Sequence, residues 1–156
     1  MILLGIDPGA NGAIAVFEDG RLVDVIDMPA VRDGKGKRRT DAAAVGAAIR
    51  GVRPHLAVVE RVGAMPGQGV TSMFSFGLTC GIVHGALGAL QVPMELVSPQ
   101  QWKQEMHVGR DNARQRASQL LPAGASLWPL VKHDGRAEAA LIGLWAVMKK
   151  SGSILW

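Results

Sequence analysis

Four acids in this 156-residue chain stand where an ionised carboxylate needs a partner. Asp7 lies in MILLGIDPGANGAIAV, after Ile2, Leu3, Leu4 and Ile6, a short apolar run of the kind that forms a strand buried on both faces. Pro8-Gly9 and Asn11-Gly12 then force a turn. A carboxylate at the end of a buried central strand is costly unless a cation, an arginine or a metal ion pairs with it. The simpler alternative is that Asp7 only accepts hydrogen bonds from the amides of the Gly9 to Gly12 turn. Glu60 repeats the pattern at the end of Leu56-Ala57-Val58-Val59, and two strand-end acids on neighbouring strands converge at one sheet edge. KHDGRAEAAL places Asp134 and Glu138 four residues apart, on one face at the start of the last helix, where the macrodipole also favours carboxylates. Four such acids in one cleft repel one another unless divalent cations neutralise them. Oxygen ligands of this kind suit Mg²⁺, with Mn²⁺ able to substitute, and two such ions bridging a phosphate activate water and stabilise a leaving oxygen. Each acid also has a structural role open to it: Asp134 as a helix N-cap, Glu138 in a pair with Arg136, and Glu60 in a pair with Arg61 or Arg53.

The elements that must position these acids follow in order. Ala13 to Phe17 resumes as a second strand, Glu18-Asp19-Gly20 makes a hairpin turn, and Arg21 to Met28 alternates as a third. Pro29 to Arg39 reads as a loop, and Thr40 as the N-cap of a helix from Asp41 to Gly51. After the Leu56–Glu60 strand and a glycine-rich loop, the spacing predicts a helix from about Ser72 to Gln91 in which Gly77, Gly81, Gly85 and Gly88 recur. Each glycine costs a helix up to ~1 kcal/mol relative to alanine, which implies a close backbone approach to the sheet or to a second subunit. Met94 to Val97 makes a short strand. Ser98 as N-cap, Pro99 at N1 and Gln101 closing a capping box start a helix carrying Trp102 and Lys103. Asp111 can cap a helix over Asn112 to Leu121. A last helix runs from about Gly135 to Lys150, with Ala137, Leu141, Leu144, Trp145 and Met148 at core spacing. A three-strand antiparallel meander followed by two parallel strands makes an α/β fold: a mixed five-stranded sheet with helices on both faces, a ribonuclease H-like layout, in one domain over residues 1–156.

Composition narrows the function classes. Seventeen basic against thirteen acidic residues give a net charge of +4, which suits a polyanionic partner. The cations cluster: Lys35, Lys37, Arg38 and Arg39 in one loop, then Arg110, Arg114 and Arg116. Aromatics are 4% of the chain and tyrosine is absent, which argues against a single-strand binder built on base stacking and for recognition of duplex shape and backbone. Cys80, the single cysteine, reads as a structural thiol in a reducing compartment, and the N-terminus lacks the pattern of a signal peptide. The most apolar window, Gly81 to Val97, is broken by His84 and Pro93 and falls short of the roughly 20 apolar residues of a membrane span. A cytoplasmic protein without a membrane partner is expected.

GIDPGANGAIAV, VVERV, QGVTSMFSFGLTCGIVHGAL, VSPQQWK and HDGRAEAALIG, in that order and over nearly the whole chain, resemble the RuvC family of Holliday junction resolvases, particularly its compact phage-type members. The resemblance implies a homodimeric, Mg²⁺-dependent endonuclease that nicks four-way DNA junctions symmetrically, in the host cytoplasm if the chain is phage-encoded. It implies that Asp7, Glu60 and Glu138 are metal ligands and that the helix Ser72 to Gln91 forms the dimer. It also implies that the loop before that helix, with Gln68, meets the junction; the charge distribution adds Lys35, Lys37, Arg38, Arg39, Lys103, Arg110, Arg114 and Arg116 as the cations expected to hold DNA. Cellular members carry their last two ligands three residues apart. Here that position is Gly135, so Asp134 or His133 must supply the fourth ligand, Asp134 being the better Mg²⁺ donor and His133 the better placed to contact the scissile phosphate or the attacking water. Other classes share parts of this pattern. Sugar kinases and chaperone ATPases need two such domains; a nuclease acting on RNA in hybrid duplexes shares the metal chemistry; a silent junction-binding protein would need no converging acids.

Overall fold

β1 (Ile2–Asp7) is the axis of the molecule in the computed structural model, which describes residues 1–32, 34, 36, 38–63 and 66–152. It pairs antiparallel with β2 (Ala13–Glu18), and β2 with β3 (Arg21–Asp27), the Asp19-Gly20 hairpin holding both turn residues at positive φ. On its other edge β1 pairs parallel with β6 (Leu56–Glu60), and β6 pairs parallel with β7 (Met94–Val97). The order is β3-β2-β1-β6-β7, the mixed five-stranded sheet expected from the sequence.

Helices cover both faces because every central strand is apolar on both sides. On one face α1 (Ala42–Val52) and α2 (Val70–Ala89) bury Val45, Ile49, Val83 and Leu87 against Leu4, Ile6, Ile14 and Val59. On the other, α3 (Pro99–Glu105), α4 (Ala113–Leu120) and α5 (Asp134–Lys150) pack Trp102, Ala117, Ala137, Leu141 and Trp145 against Leu3, Ala15, Phe17 and Val58. α5 lies unusually close to the sheet. A side chain at Gly5 would overlap the backbone of Gly143 and Ala139, so the strand and the helix meet backbone to backbone.

Several boundaries differ from the sequence reading. The segment from Pro29 to Arg39 is not simply a loop: β4 (Ala30–Arg32) and β5 (Arg38–Thr40) form a two-stranded hairpin. Thr40 does not cap α1. Its hydroxyl is buried and shares a 2.8 Å hydrogen bond with Thr79 of α2, while Asp41 takes over as N-cap, accepting from the Ala44 amide at 3.1 Å. Asn112 rather than Asp111 occupies the N-cap of α4, its side chain accepting from the Gly109 amide in the preceding turn. α2 begins at Val70, so the longest apolar stretch is earlier than Gly81 to Val97. By length and composition alone this 20-residue helix is apolar enough to cross a membrane, with a mean hydropathy of 1.4 over its best window. Lys35 and Lys37 lie outside the described residues.

Candidate active site

The parallel register of β1 and β6 runs Leu3 with Leu56 to Ile6 with Val59, and one further step sets Asp7 beside Glu60. Strand alternation puts Leu3, Gly5 and Asp7 on one face, and Leu56, Val58 and Glu60 on the same face. That is the face α5 covers. Because α5 touches Gly5 through Ala139 and Gly143, the residue before Ala139, Glu138, comes down onto the ends of β1 and β6. Three of the four acids singled out by sequence therefore converge.

Their electrostatics follow from that convergence. Burial first, then the charges of Glu138 and Glu60, push the Asp7 carboxyl up to about 7, against the opposing pull of a hydrogen bond from the Gly9 amide and the charge of Lys103. The turn-amide role of Asp7 is thus present, but as a minor contribution. Glu60, only 8% exposed, is raised by burial and by Glu138, and a hydrogen bond from Trp102 counters that rise. Indole Nε1 of Trp102 donates to Oε1 of Glu60 at 2.8 Å. Lys103, the next residue, donates through Nζ to Oε1 of Glu138 at 2.7 Å. Burial opposes its charge, but Glu138, Glu60 and Asp7 together outweigh burial and hold its pKa above the usual lysine value. Glu138 therefore pairs with Lys103, and Glu60 with Trp102, rather than with the arginines weighed from sequence. Arg136 instead forks onto Asp27, with Nε to Oδ1 at 2.6 Å and Nη2 to Oδ2 at 2.7 Å.

Asp134 stands apart from this cluster. It is 59% exposed at the side chain, and Arg114 Nε donates to its Oδ1 at 2.8 Å. His133 occupies the N-cap position of α5, its Nδ1 accepting from the Leu130 amide at 3.3 Å, and it lines a separate polar cavity with Asn11, Asp27, Arg38 and Lys132. Burial and the neighbouring charges of Arg136 and Lys132 depress its pKa, which keeps the imidazole neutral. Among the described residues no three His, Cys, Asp or Glu side chains are spaced to share one ion as they stand. The donor set nevertheless fits a hard divalent cation. It consists of carboxylate oxygens, two of which, on Asp7 and Glu60, are held above the usual carboxylate range by burial and by the charge of Glu138, with the Lys103 ammonium as the counter-charge acting on both.

The expected DNA contacts fall into two sets. Arg39 and Arg110 are exposed, and Gln68, also exposed, has a partner within the chain. Others are engaged within the chain: Arg38 Nη2 donates to the Met28 carbonyl at 3.2 Å, Arg114 holds Asp134, and Arg116 Nε donates to the Met106 carbonyl at 2.7 Å, tying α4 to the end of α3. Lys103 sits among the acids rather than on an outer surface. Trp102 is the site residue that the sequence reading passed over. The signal for it was the well-marked start of α3, which fixes residues 102 and 103 on consecutive positions of its first turns.

Comparison with solved structures aligns 98% of this chain with 97% of RuvC from T. thermophilus in complex with a Holliday junction substrate, at a TM-score of 0.66 and 20% identity. The fold is that of RuvC. A second Thermus thermophilus RuvC structure aligns over 97% of both chains at a TM-score of 0.60 and 20% identity. The yeast mitochondrial Holliday junction resolvase Ydc2 aligns over 95% of this chain and 80% of its own, at 0.58 and 16%. No protein-family profile and no curated protein sequence matches the chain.

Proposed function

We propose that this protein is a structure-selective DNA endonuclease that resolves four-way junctions by paired, metal-dependent nicks. The observation that carries the reading is the convergence of Asp7, Glu60 and Glu138, with Lys103 among them, in a chain with the RuvC fold. Asp7, Glu60 and Glu138 would hold Mg²⁺, or Mn²⁺ in its place, with Asp134 completing the set after release from Arg114. A divalent cation supplies Lewis-acid stabilisation of the phosphate and a more acidic water. The chain's own residues do the rest. The carboxylates localise negative charge where the cation is needed, and Lys103 screens them until they are filled. Beside these carboxylates, the Lys103 ammonium would also be placed to face an incoming phosphate. The two solved neighbours named as acting on or bound to Holliday junctions support branched DNA as the substrate.

Symmetric nicking of a two-fold junction needs two sites, and α2 offers the surface for a second copy. Val70, Phe74 and Leu78 are 81%, 74% and 47% exposed, and on the same helix a side chain built at Gly77, Gly81, Gly85 or Gly88 would meet nothing within 4 Å. The glycines are therefore not used against the chain's own sheet, which leaves close approach by a partner helix as their role. The other face of α2 is packed on the sheet through Val83 and Leu87, so a helix suited by composition to a membrane is half committed to the protein core. A DNA substrate calls for a compartment that holds DNA, and the cytoplasm is the one expected from the sequence.

A labelled four-way junction, a linear duplex of equal length and a DNA–RNA hybrid, each incubated with and without Mg²⁺, test the reading together. Metal-dependent paired nicks in the junction alone are expected. Preferential cutting of the hybrid would reassign the enzyme to ribonuclease H-type activity, and tight junction binding without cutting would make it a silent junction binder.

A further inference from the structure

We propose that Trp102 is a positioning residue for the metal site, its indole N–H fixing the Glu60 carboxylate so that it faces the cation together with Asp7 and Glu138. The inference rests on the nuclease reading above and names how the site is kept in register. The Trp102 ring is fully buried, packed in the core with Leu3, Val58, Val97 and Ala137, so its orientation is set by close packing. Its Nε1, a donor only, reaches Oε1 of Glu60 across 42 positions of sequence at 2.8 Å. The neighbouring Lys103 grips Glu138, so consecutive residues of α3 hold acids from two different elements, β6 and α5. The far end of α3 is clamped independently. Glu105 Oε2 accepts from Trp145 Nε1 at 2.8 Å and pairs with Lys149 at 3.1 Å, both on α5. Groups that hydrogen-bond a ligating carboxylate orient it, and their loss costs metal affinity about 10- to 100-fold.

Trp102 and Trp145 form a matched pair, since each donates an indole N–H from or to α3 and only one of the acceptors belongs to the acid cluster. The test measures Mn²⁺ binding to the DNA-free protein by calorimetry for the wild type, Trp102→Phe and Trp145→Phe, each checked for folding by circular dichroism. Trp102→Phe is expected to bind Mn²⁺ about tenfold more weakly, and Trp145→Phe as the wild type does. Equal affinity of Trp102→Phe and wild type, or equal losses in both variants, would overturn the inference while leaving the nuclease reading standing. A wild type that binds no Mn²⁺ would overturn both. A second measurement needs no variant: on titrating Mg²⁺ into the wild type, the indole N–H resonance of Trp102 should shift while those of Trp128 and Trp145 stay. An unmoved Trp102 resonance would overturn the inference even if Trp102→Phe failed to fold.

Discussion

Asp7 is the residue whose ionisation the fold resists and whose proposed role as a metal ligand requires it. Its folded pKa of about 7 lies above the unfolded value of 3.8, so the native state holds a proton that the unfolded chain has released. The sign follows directly: metal-free stability is highest below about pH 4 as far as this group is concerned, falls as pH rises, and the loss is complete above about pH 7. Asp7→Asn removes the penalty. It should stabilise the metal-free protein at pH 8 by about 2 kcal/mol, part of what a full shift would give because the carboxylate keeps some solvent contact, and by at most about 0.5 kcal/mol at pH 4. Thermal melts in EDTA at the two pH values check this; an equal effect at both would show that neither burial nor the neighbouring acids raise the Asp7 pKa. At this scale the sequence was informative for Asp7, Glu60 and Glu138, because strand alternation and helix spacing are local rules that carry an acid to a known face. It was uninformative for Lys103 and Trp102, whose partners are 35 and 42 residues away and depend on how α3 docks.

At the scale of elements, the N-terminus of α5 holds the open question of the fourth ligand. Asp134 shares a helix with Glu138 but is drawn outward by Arg114, and both it and His133 line the polar cavity beside Asn11 and Asp27. Swinging one aspartate side chain from an exposed ion pair, worth at most about 1 kcal/mol, is cheaper than turning an imidazole out of its place at the N-cap. Asp134→Asn should therefore raise the Mg²⁺ needed for half-maximal cutting at least about tenfold, and His133→Ala should leave it unchanged; the reverse result would make His133 the ligand and bring with it a preference for Mn²⁺. α2 carries a separate expectation. In one chain a side chain at Gly81 meets open space, so Gly81→Leu should leave the monomer folded, even gaining up to ~1 kcal/mol of helix propensity, yet break the proposed dimer. Sedimentation at micromolar concentration decides it, and a Gly81→Leu dimer as stable as the wild type would move the interface away from α2. The glycine spacing was visible in the sequence; which side of the helix it served was not, because that depends on where Val83 and Leu87 dock.

For the whole molecule, sheet order and the two-faced helix covering were legible because continuous apolar strands and short connections leave few topologies. The β4–β5 hairpin was not, since glycines and cations hide strand alternation, and Thr40 looked like a cap because its true partner, Thr79, lies on another element. The charge distribution makes a global prediction. With a net charge of +4 and exposed Arg39 and Arg110, junction affinity should fall steeply with salt, and neutralising one phosphate-contacting cation should lower the slope of log K against log salt by about one unit. Arg39→Ala and Arg110→Ala are the informative variants, because Arg114 and Arg116 already have intramolecular partners whose loss would confuse the result. An unchanged slope in both would place the DNA on another surface. If the acids meeting at the ends of β1 and β6 cut DNA through bound metal, Glu60→Gln is the decisive variant, since the amide keeps the shape and removes the charge. With a four-way junction in Mg²⁺, Glu60→Gln should bind the junction as tightly as the wild type or more so, while cutting at least roughly a hundredfold more slowly. A Glu60→Gln protein that cuts at near the wild-type rate would contradict the account.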